Sequence, residues 1–146
     1  MDEIAFMHTL DAVHAKPCAF EKAILSRRCA CPQQEKRLMA EREMVACKLA
    51  EDREVCSALL DQLRQNSAFA LKLTHVTLPL SYAQEVKVQC GGLIGLQQEM
   101  DVQDLDNVIG LVKAAREKFG DFDALPYSRI MQSVATHQLR KRHGKE

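Results

Sequence analysis

The stretch LMAEREMVACKLAEDREVCSALLDQL, residues 38–63, decides the fold that the sequence predicts. Its local composition favours helix, for example at residues 48–51. At about 100° per residue, six of its apolar or cysteine side chains fall within one stripe roughly 60° wide: Leu38, Val45, Leu49, Cys56, Leu60 and Leu63. The pattern predicts one long helix that starts at Pro32 and runs through Asn66.

The remaining sequence also shows mostly helical spacing of apolar residues. Further helices are predicted at residues 2–16, 17–28, 82–98, 101–120 and 126–143, with a loop at 75–81. Prolines at three predicted helix starts and Gly120 at a predicted helix end support these bounds. The fold class that follows is all-α: a compact bundle of five to seven helices that forms a single domain over residues 1–146.

Composition and charge narrow the classes of function. The chain has 146 residues, 47% of them hydrophobic, and its twenty basic side chains balance its twenty acidic ones. A net charge of zero argues against nucleic acid or an anionic membrane as the main partner, because both bind surplus positive charge. The apolar runs are too short to span a bilayer. No secretory signal is visible at the N-terminus, so the sequence predicts a cytoplasmic protein with reduced thiols.

The cysteine content indicates a specific chemistry. Six cysteines occur: Cys18, Cys29, Cys31, Cys47, Cys56 and Cys90. No two of them have the C-x-x-C spacing, which excludes a thioredoxin-type dithiol and the usual zinc knuckle. A pair of helices joined by two disulfides is also excluded, because nine residues between Cys47 and Cys56 rotate to about 180° on a helix. The interpretation that remains is a metal centre held by thiolates.

Four cysteines are the expected ligands of this centre: Cys31, Cys47, Cys56 and Cys90. Cys29 could replace Cys31, which lies at a predicted helix N-terminus where the helix dipole favours a thiolate. Cys90 precedes Gly91 and Gly92, and glycines allow the backbone to approach a bulky inorganic group. Ligands spread over several helices favour an iron–sulfur cluster, with zinc as the second choice.

One geometric condition limits this ligand set. On an unbroken helix, Cys47 and Cys56 would lie about 13 Å apart along the axis and on opposite faces. Both can bind one centre only if the helix breaks between Lys48 and Asp52, where Asp52 could cap a new segment. Helix propensity does not predict that break.

The leading functional hypothesis is a small cytoplasmic protein that binds an iron–sulfur cluster and acts with a protein partner as an electron carrier, redox sensor or cluster-handling accessory. The alternative is an interaction or adaptor module without chemistry, in which the cysteines only pack in the core. Its partner surface would be the long helix or a groove beside Gly91 to Gly95. A third hypothesis is a thiol-dependent enzyme that uses Cys29 or Cys31.

Overall fold

The chain folds into five α-helices and one two-stranded antiparallel sheet, as described by a computed structural model for residues 17–39 and 42–138. In chain order the elements are α1 (Glu21–Leu25), β1 (Gln34–Met39), β2 (Arg42–Cys47), α2 (Ala50–Gln65), α3 (Tyr82–Met100), α4 (Val108–Phe119) and α5 (Tyr127–Thr136), with a short 3-10 helix at Phe122–Ala124. The helix expected at residues 2–16 and the end of the last predicted helix, residues 139–143, lie outside the described residues.

The all-α prediction is wrong, because the first half of the predicted long helix forms the β1–β2 hairpin. The strands pair in register from Gln34 opposite Cys47 to Met39 opposite Arg42. The side chain of Val45, on β2, is fully buried. Tertiary contacts at this position outweigh a helix propensity that differs by less than about 1 kcal/mol per residue between ordinary residues.

The chain preceding β1 supplies those contacts. The backbone carbonyl of Val45 accepts a hydrogen bond from the Cys18 N–H at 3.0 Å, and its N–H donates to Glu21 Oε2 at 2.9 Å. Pro17 forms an isolated antiparallel bridge with Ala46. Pro17 and Cys18 therefore pair with β2, a turn follows at residues 19–20, and α1 is limited to five residues instead of the predicted span of 17–28.

The second half of the predicted long helix is helical and forms α2. Leu49, with extended backbone angles, is the N-cap, so the chain changes direction between Lys48 and Asp52 as a shared site requires. Asp52 does not cap this helix; it lies in the first turn and is buried. Helix α2 directs Leu59 and Leu63 into the core.

Helix α3 lies at the centre of the molecule and is buried along much of its length. It starts with a capping box between Ser81 and Gln84, and Asp101 ends it with φ 56°. The helix predicted at residues 101–120 begins only at Val108, and Asn107 caps it by accepting a hydrogen bond from the Gly110 N–H. The helices predicted at 82–98, 101–120 and from Pro126 correspond to α3, α4 and α5.

The core joins all five helices and β2. Its fully buried large side chains are Phe20, Ile24, Val45, Leu59, Leu63, Val88, Leu93, Leu96, Val108, Val112 and Ile130. None of the helices in the described ranges is both long and apolar enough to cross a membrane.

Candidate metal centre

Four cysteines line one small cavity at the junction of the hairpin, α2 and α4. They are Cys18, Cys31, Cys47 and Cys56. The other lining residues are Ala19, Gln33, Gln34, Asp52, Arg53, Val108 and Ile109. Each cysteine comes from a different segment: the chain before α1, the chain before β1, the end of β2, and α2.

The hairpin brings Cys31 and Cys47 together although they are sixteen positions apart in the sequence. Cys47 is opposite Gln34 in the strand register. Gln34 in turn is bound to Cys31 twice: its N–H donates to the Cys31 carbonyl at 3.0 Å, and its side-chain Oε1 accepts from the Cys31 N–H at 3.0 Å. The backbone on both sides of the hairpin base is therefore fixed by hydrogen bonds.

Cys18 and Cys56 reach the cavity through contacts with the same hairpin and with α2. The hydrogen bond from Cys18 to Val45 places Cys18 beside β2. Arg53, in the first turn of α2, donates from Nε to the carbonyl of Pro17 at 3.2 Å, which ties α2 to the segment carrying Cys18. Cys56 lies four residues after Asp52 on α2, which places both on one helix face, and both line the cavity.

Three of the four expected ligands line this cavity, whereas Cys90 does not. Cys90 is buried on α3, and its sulfur lies 3.4 Å from the Ser26 hydroxyl oxygen. Cys29, the expected substitute for Cys31, lines no part of the cavity. Its closest thiol neighbours in electrostatic terms are Cys90 first, then Cys18 and Cys31. The structure thus groups Cys18 with Cys31, Cys47 and Cys56, and leaves Cys29 and Cys90 outside this cavity.

Gly91 and Gly92 serve helix packing at their positions. A Cβ atom on Gly91 would lie 2.5 Å from the Cα of Val134 in α5, and one on Gly92 would lie 2.8 Å from Leu63 Cδ1. Their missing side chains allow α3 to approach its neighbours closely. Val134 and Leu63 occupy the space beside them, where the sequence predicted an inorganic group.

Burial raises the pKa of three cavity thiols, Cys18, Cys47 and Cys56. Loss of hydration raises the pKa of Cys18 to about 12, and the neighbouring thiols Cys31 and Cys47 contribute to the rise. The pKa of Cys56 is raised by burial and then by Cys18, Cys31 and Cys47, and the pKa of Cys47 is raised chiefly by burial. A bound metal ion reverses this preference, because a coordinating thiol loses its proton.

Charged groups also lie at the cavity. Asp52 is 5% exposed, and its Oδ1 lies 2.9 Å from Nζ of Lys113 on α4, so the buried carboxylate is neutralised. The positive charge of Arg53 lowers the pKa of Cys47, against the larger effect of burial. The guanidinium of Arg53 therefore acts on the thiols from α2, and it would partly offset the negative charge of a thiolate-bound centre.

The cavity is narrow as it stands. Its volume is about 10 Å³, close to the space that one water molecule needs. Among the described residues, no three His, Cys, Asp or Glu side chains lie close enough to hold one metal ion together. The four thiols therefore surround a common space without meeting at one point. An inorganic group would enter only with rotation of the cysteine side chains, each of which has a single χ1 torsion.

A thiol-dependent enzyme receives little support from these environments. Burial raises the pKa of Cys29 to about 12, with Cys90 as the next contributor. A catalytic cysteine needs the opposite shift, because the thiolate is the nucleophile. Of the two cysteines considered for this role, Cys29 is therefore a protonated, packed thiol.

Sequence reasoning missed Cys18 because the ligand set depends on the hairpin. A hairpin is usually signalled by alternating polarity and an Asn-Gly or Asp-Gly pair, and neither occurs in residues 34–47. No other local signal connects Cys18 with β2.

Comparison with known proteins gives no match. No family model matches the chain, and no curated protein or solved structure is significantly similar to it.

Proposed function

We propose that this chain binds an iron–sulfur cluster through Cys18, Cys31, Cys47 and Cys56. The observation that carries the proposal is the convergence of four thiols from four separate segments on one cavity. Four soft thiolate ligands are the usual shell of a [4Fe–4S] or [2Fe–2S] cluster. Relative to the ligand set expected from the sequence, Cys18 takes the place of Cys90.

The spacing of the thiols favours a cluster over a single zinc ion. Four thiolates around zinc must all approach one point, at about 2.3 Å from the metal. In a [4Fe–4S] cluster each thiolate binds its own iron, so the ligand sulfurs lie further apart. Four thiols that reach one cavity from four separate segments fit the wider shell of a cluster. The cavity would also have to widen, because its volume of about 10 Å³ is smaller than a cluster.

The surrounding residues would tune such a cluster. Burial by Val108 and Ile109 limits contact with water, and the charge of Arg53 acts on the thiolates from α2. Burial and nearby charge are two of the factors that set the reduction potential of a cluster. We place the protein in the cytoplasm, where thiols stay reduced, and assign it a protein partner that exchanges electrons or the cluster with it.

Anaerobic reconstitution tests this proposal. The reduced protein is incubated with ferrous iron and sulfide, desalted, and measured by visible absorption and by electron paramagnetic resonance after reduction. We expect a brown protein with the broad charge-transfer absorption of an iron–sulfur cluster. A colourless protein that retains neither iron nor sulfide after desalting would contradict it. A colourless protein that binds zinc through four cysteines would show that the site holds zinc and not a cluster.

An adaptor function is the second candidate, and one surface feature favours it. Phe69 is 94% exposed, beside a groove of about 460 Å³ whose lining includes Tyr127 and Met131. Large exposed apolar side chains beside a groove are typical of protein-binding surfaces. The surface beside Gly91 and Gly95 is not available for this role, because α5 covers it. Pull-down with wild-type protein and with Phe69→Ser tests this candidate: loss of a captured partner supports it.

A further inference from the structure

A second cavity is lined by positively charged side chains. It is a groove of about 660 Å³ lined by Ala70, Leu71, Lys72, Ala83, Gln84, Lys87, His137 and Gln138. This volume is in the range of pockets that hold small molecules. The lining contains two lysines and a histidine but no acidic residue.

Arg28 adds a third positive charge at the edge of the groove. Its Nη2 donates to the carbonyl of Gln138 at 3.3 Å, which holds the guanidinium beside the lining residues. Within residues 17–39 and 42–138, no carboxylate lies within ion-pair distance of Lys72, Lys87 or Arg28. The three cations come from three segments, since Lys72 follows α2, Lys87 is on α3 and Arg28 follows α1.

The lowered pKa of His137 is consistent with the positive charge of this groove. After burial, the two groups that lower its pKa are Arg28 and Lys87, and both are positive. In a chain whose charges balance overall, such a groove is a local excess of positive charge.

We propose that this groove binds a small phosphorylated molecule through Lys72, Lys87 and Arg28. Lysine and arginine donate charge-assisted hydrogen bonds to phosphate oxygens. Gln84 offers an amide group for a neighbouring hydroxyl, and Ala70, Leu71 and Ala83 offer apolar contact to the rest of the molecule. Among the described residues the lining holds no Phe, Tyr or Trp, so the proposal rests on the phosphate contacts. This inference is independent of the metal centre.

Binding of two phosphate compounds to the folded full-length protein tests the inference. Inorganic pyrophosphate and ribose 5-phosphate are titrated by calorimetry at low ionic strength, where charge contacts are least screened. We expect saturable binding of at least one of them. Binding of pyrophosphate alone identifies an inorganic phosphate ligand, whereas equal or tighter binding of ribose 5-phosphate identifies an organic one. The absence of saturable binding of either compound at millimolar concentration would overturn the proposal.

Matched variants show whether the groove is the site. Lys72→Gln with Lys87→Gln should weaken binding about tenfold, because two charge contacts are lost. Lys36→Gln with Lys118→Gln removes the same charge from exposed positions outside the groove and should leave binding unchanged. Equal weakening by both pairs would overturn the proposal, because it would show that only the net charge matters.

A third variant guards against loss of folding. Ala83→Glu adds a negative charge to the groove at an exposed position in the first turn of α3, where an acidic side chain favours the helix. We expect this variant to keep its circular dichroism and melting temperature while it binds phosphate several-fold more weakly. Unchanged phosphate binding in the folded variant would contradict the assignment to this groove.

Discussion

At the scale of single residues, the cavity cysteines have an environment that suits a bound cation. Burial and mutual proximity raise the pKa of Cys18 to about 12, so a free thiolate there is unfavourable. A metal removes the conflict, because the positive centre stabilises the thiolates that burial and repulsion destabilise. The same burial would also suit cysteines that only pack in the core. A metal centre and inert packing differ in one measurable respect, the effect of replacing a single cysteine on metal content.

Replacement of Cys18 by serine should abolish or strongly reduce metal binding. Cys29→Ser is a matched control, since Cys29 is also half-buried, has its pKa raised to about 12, and does not line the cavity. Metal content per chain after anaerobic purification is the measurement. Equal metal content in the two variants, or a loss confined to Cys29→Ser, would show that Cys18 is not a ligand.

His137 should make stability depend on pH in a predictable direction. Burial, then Arg28 and Lys87, lower its pKa in the folded state below the ordinary value of 6.5. The unfolded chain therefore binds this proton at a higher pH than the folded one, and stability is lost as pH falls below about 6.5. His137→Gln should remove this part of the loss. Urea unfolding of the wild-type and His137→Gln proteins between pH 7.5 and 5 measures this loss of stability. Parallel plots of stability against pH for the two proteins would contradict the role of His137.

At the scale of secondary structure, the sequence predicted the second half of the chain well. Gly120 at the end of α4 and the apolar faces of α3, α4 and α5 are local signals, and local physics determines those elements. The capping box at Ser81 was not part of the prediction. The β1–β2 hairpin was not predicted, because residues 34–47 have a composition that favours helix. Contacts from Cys18 and Glu21 to Val45 hold β2 in place, and no local pattern reports them.

Gly91→Ala tests the close packing of α3 against α5. Helix propensity alone predicts a gain of about 1 kcal/mol in the free energy of unfolding. The added Cβ, however, would lie 2.5 Å from the Cα of Val134, and backbone atoms cannot move aside as a flexible side chain can. We expect a net loss of about 1–3 kcal/mol from overpacking. Urea denaturation measures it, and a gain in stability would mean that the helices lie further apart.

At the scale of the whole molecule, a buried polar network connects three helices. Arg64 on α2 binds Glu85 on α3 through both Nε and Nη2, the latter at 2.7 Å from Oε2. Gln89 donates to Glu85 at 2.8 Å and accepts from the Ala23 N–H of α1 at 3.1 Å. The network fixes the positions of α1 and α2. In the sequence these two helices precede and follow the hairpin that carries Cys47.

Removal of Glu85 should therefore be costly. Glu85→Ala removes the acceptor that Arg64 and Gln89 share, while Arg64 keeps its longer contact with Asp61, 3.5 Å from Nη1. Loss of one partner of a buried pair typically costs about 3 kcal/mol. Glu99→Ala is the control, because its bidentate pair with Arg129 is exposed and should contribute much less. Thermal or urea unfolding compares them. Equal losses would show that the network does not hold the helices together.

The candidate site was only partly predictable because it is a property of the tertiary fold. Cysteine content and the absence of C-x-x-C pointed to widely spaced thiolate ligands, and the required break between Lys48 and Asp52 is present. The choice between Cys18 and Cys90 depends on which segment pairs with β2. That pairing joins residues about 27 positions apart along the chain, from Cys18 to Val45, beyond the reach of helical periodicity or capping rules.

Iron and acid-labile sulfide per chain, measured on full-length protein purified without oxygen, test the central claim most directly. The four-thiol cavity predicts about four irons and four sulfides per chain if the cluster is of the [4Fe–4S] type, or about two of each if it is [2Fe–2S]. A folded protein that contains neither iron nor sulfide, and in which all six thiols react with a thiol reagent after unfolding, would contradict it.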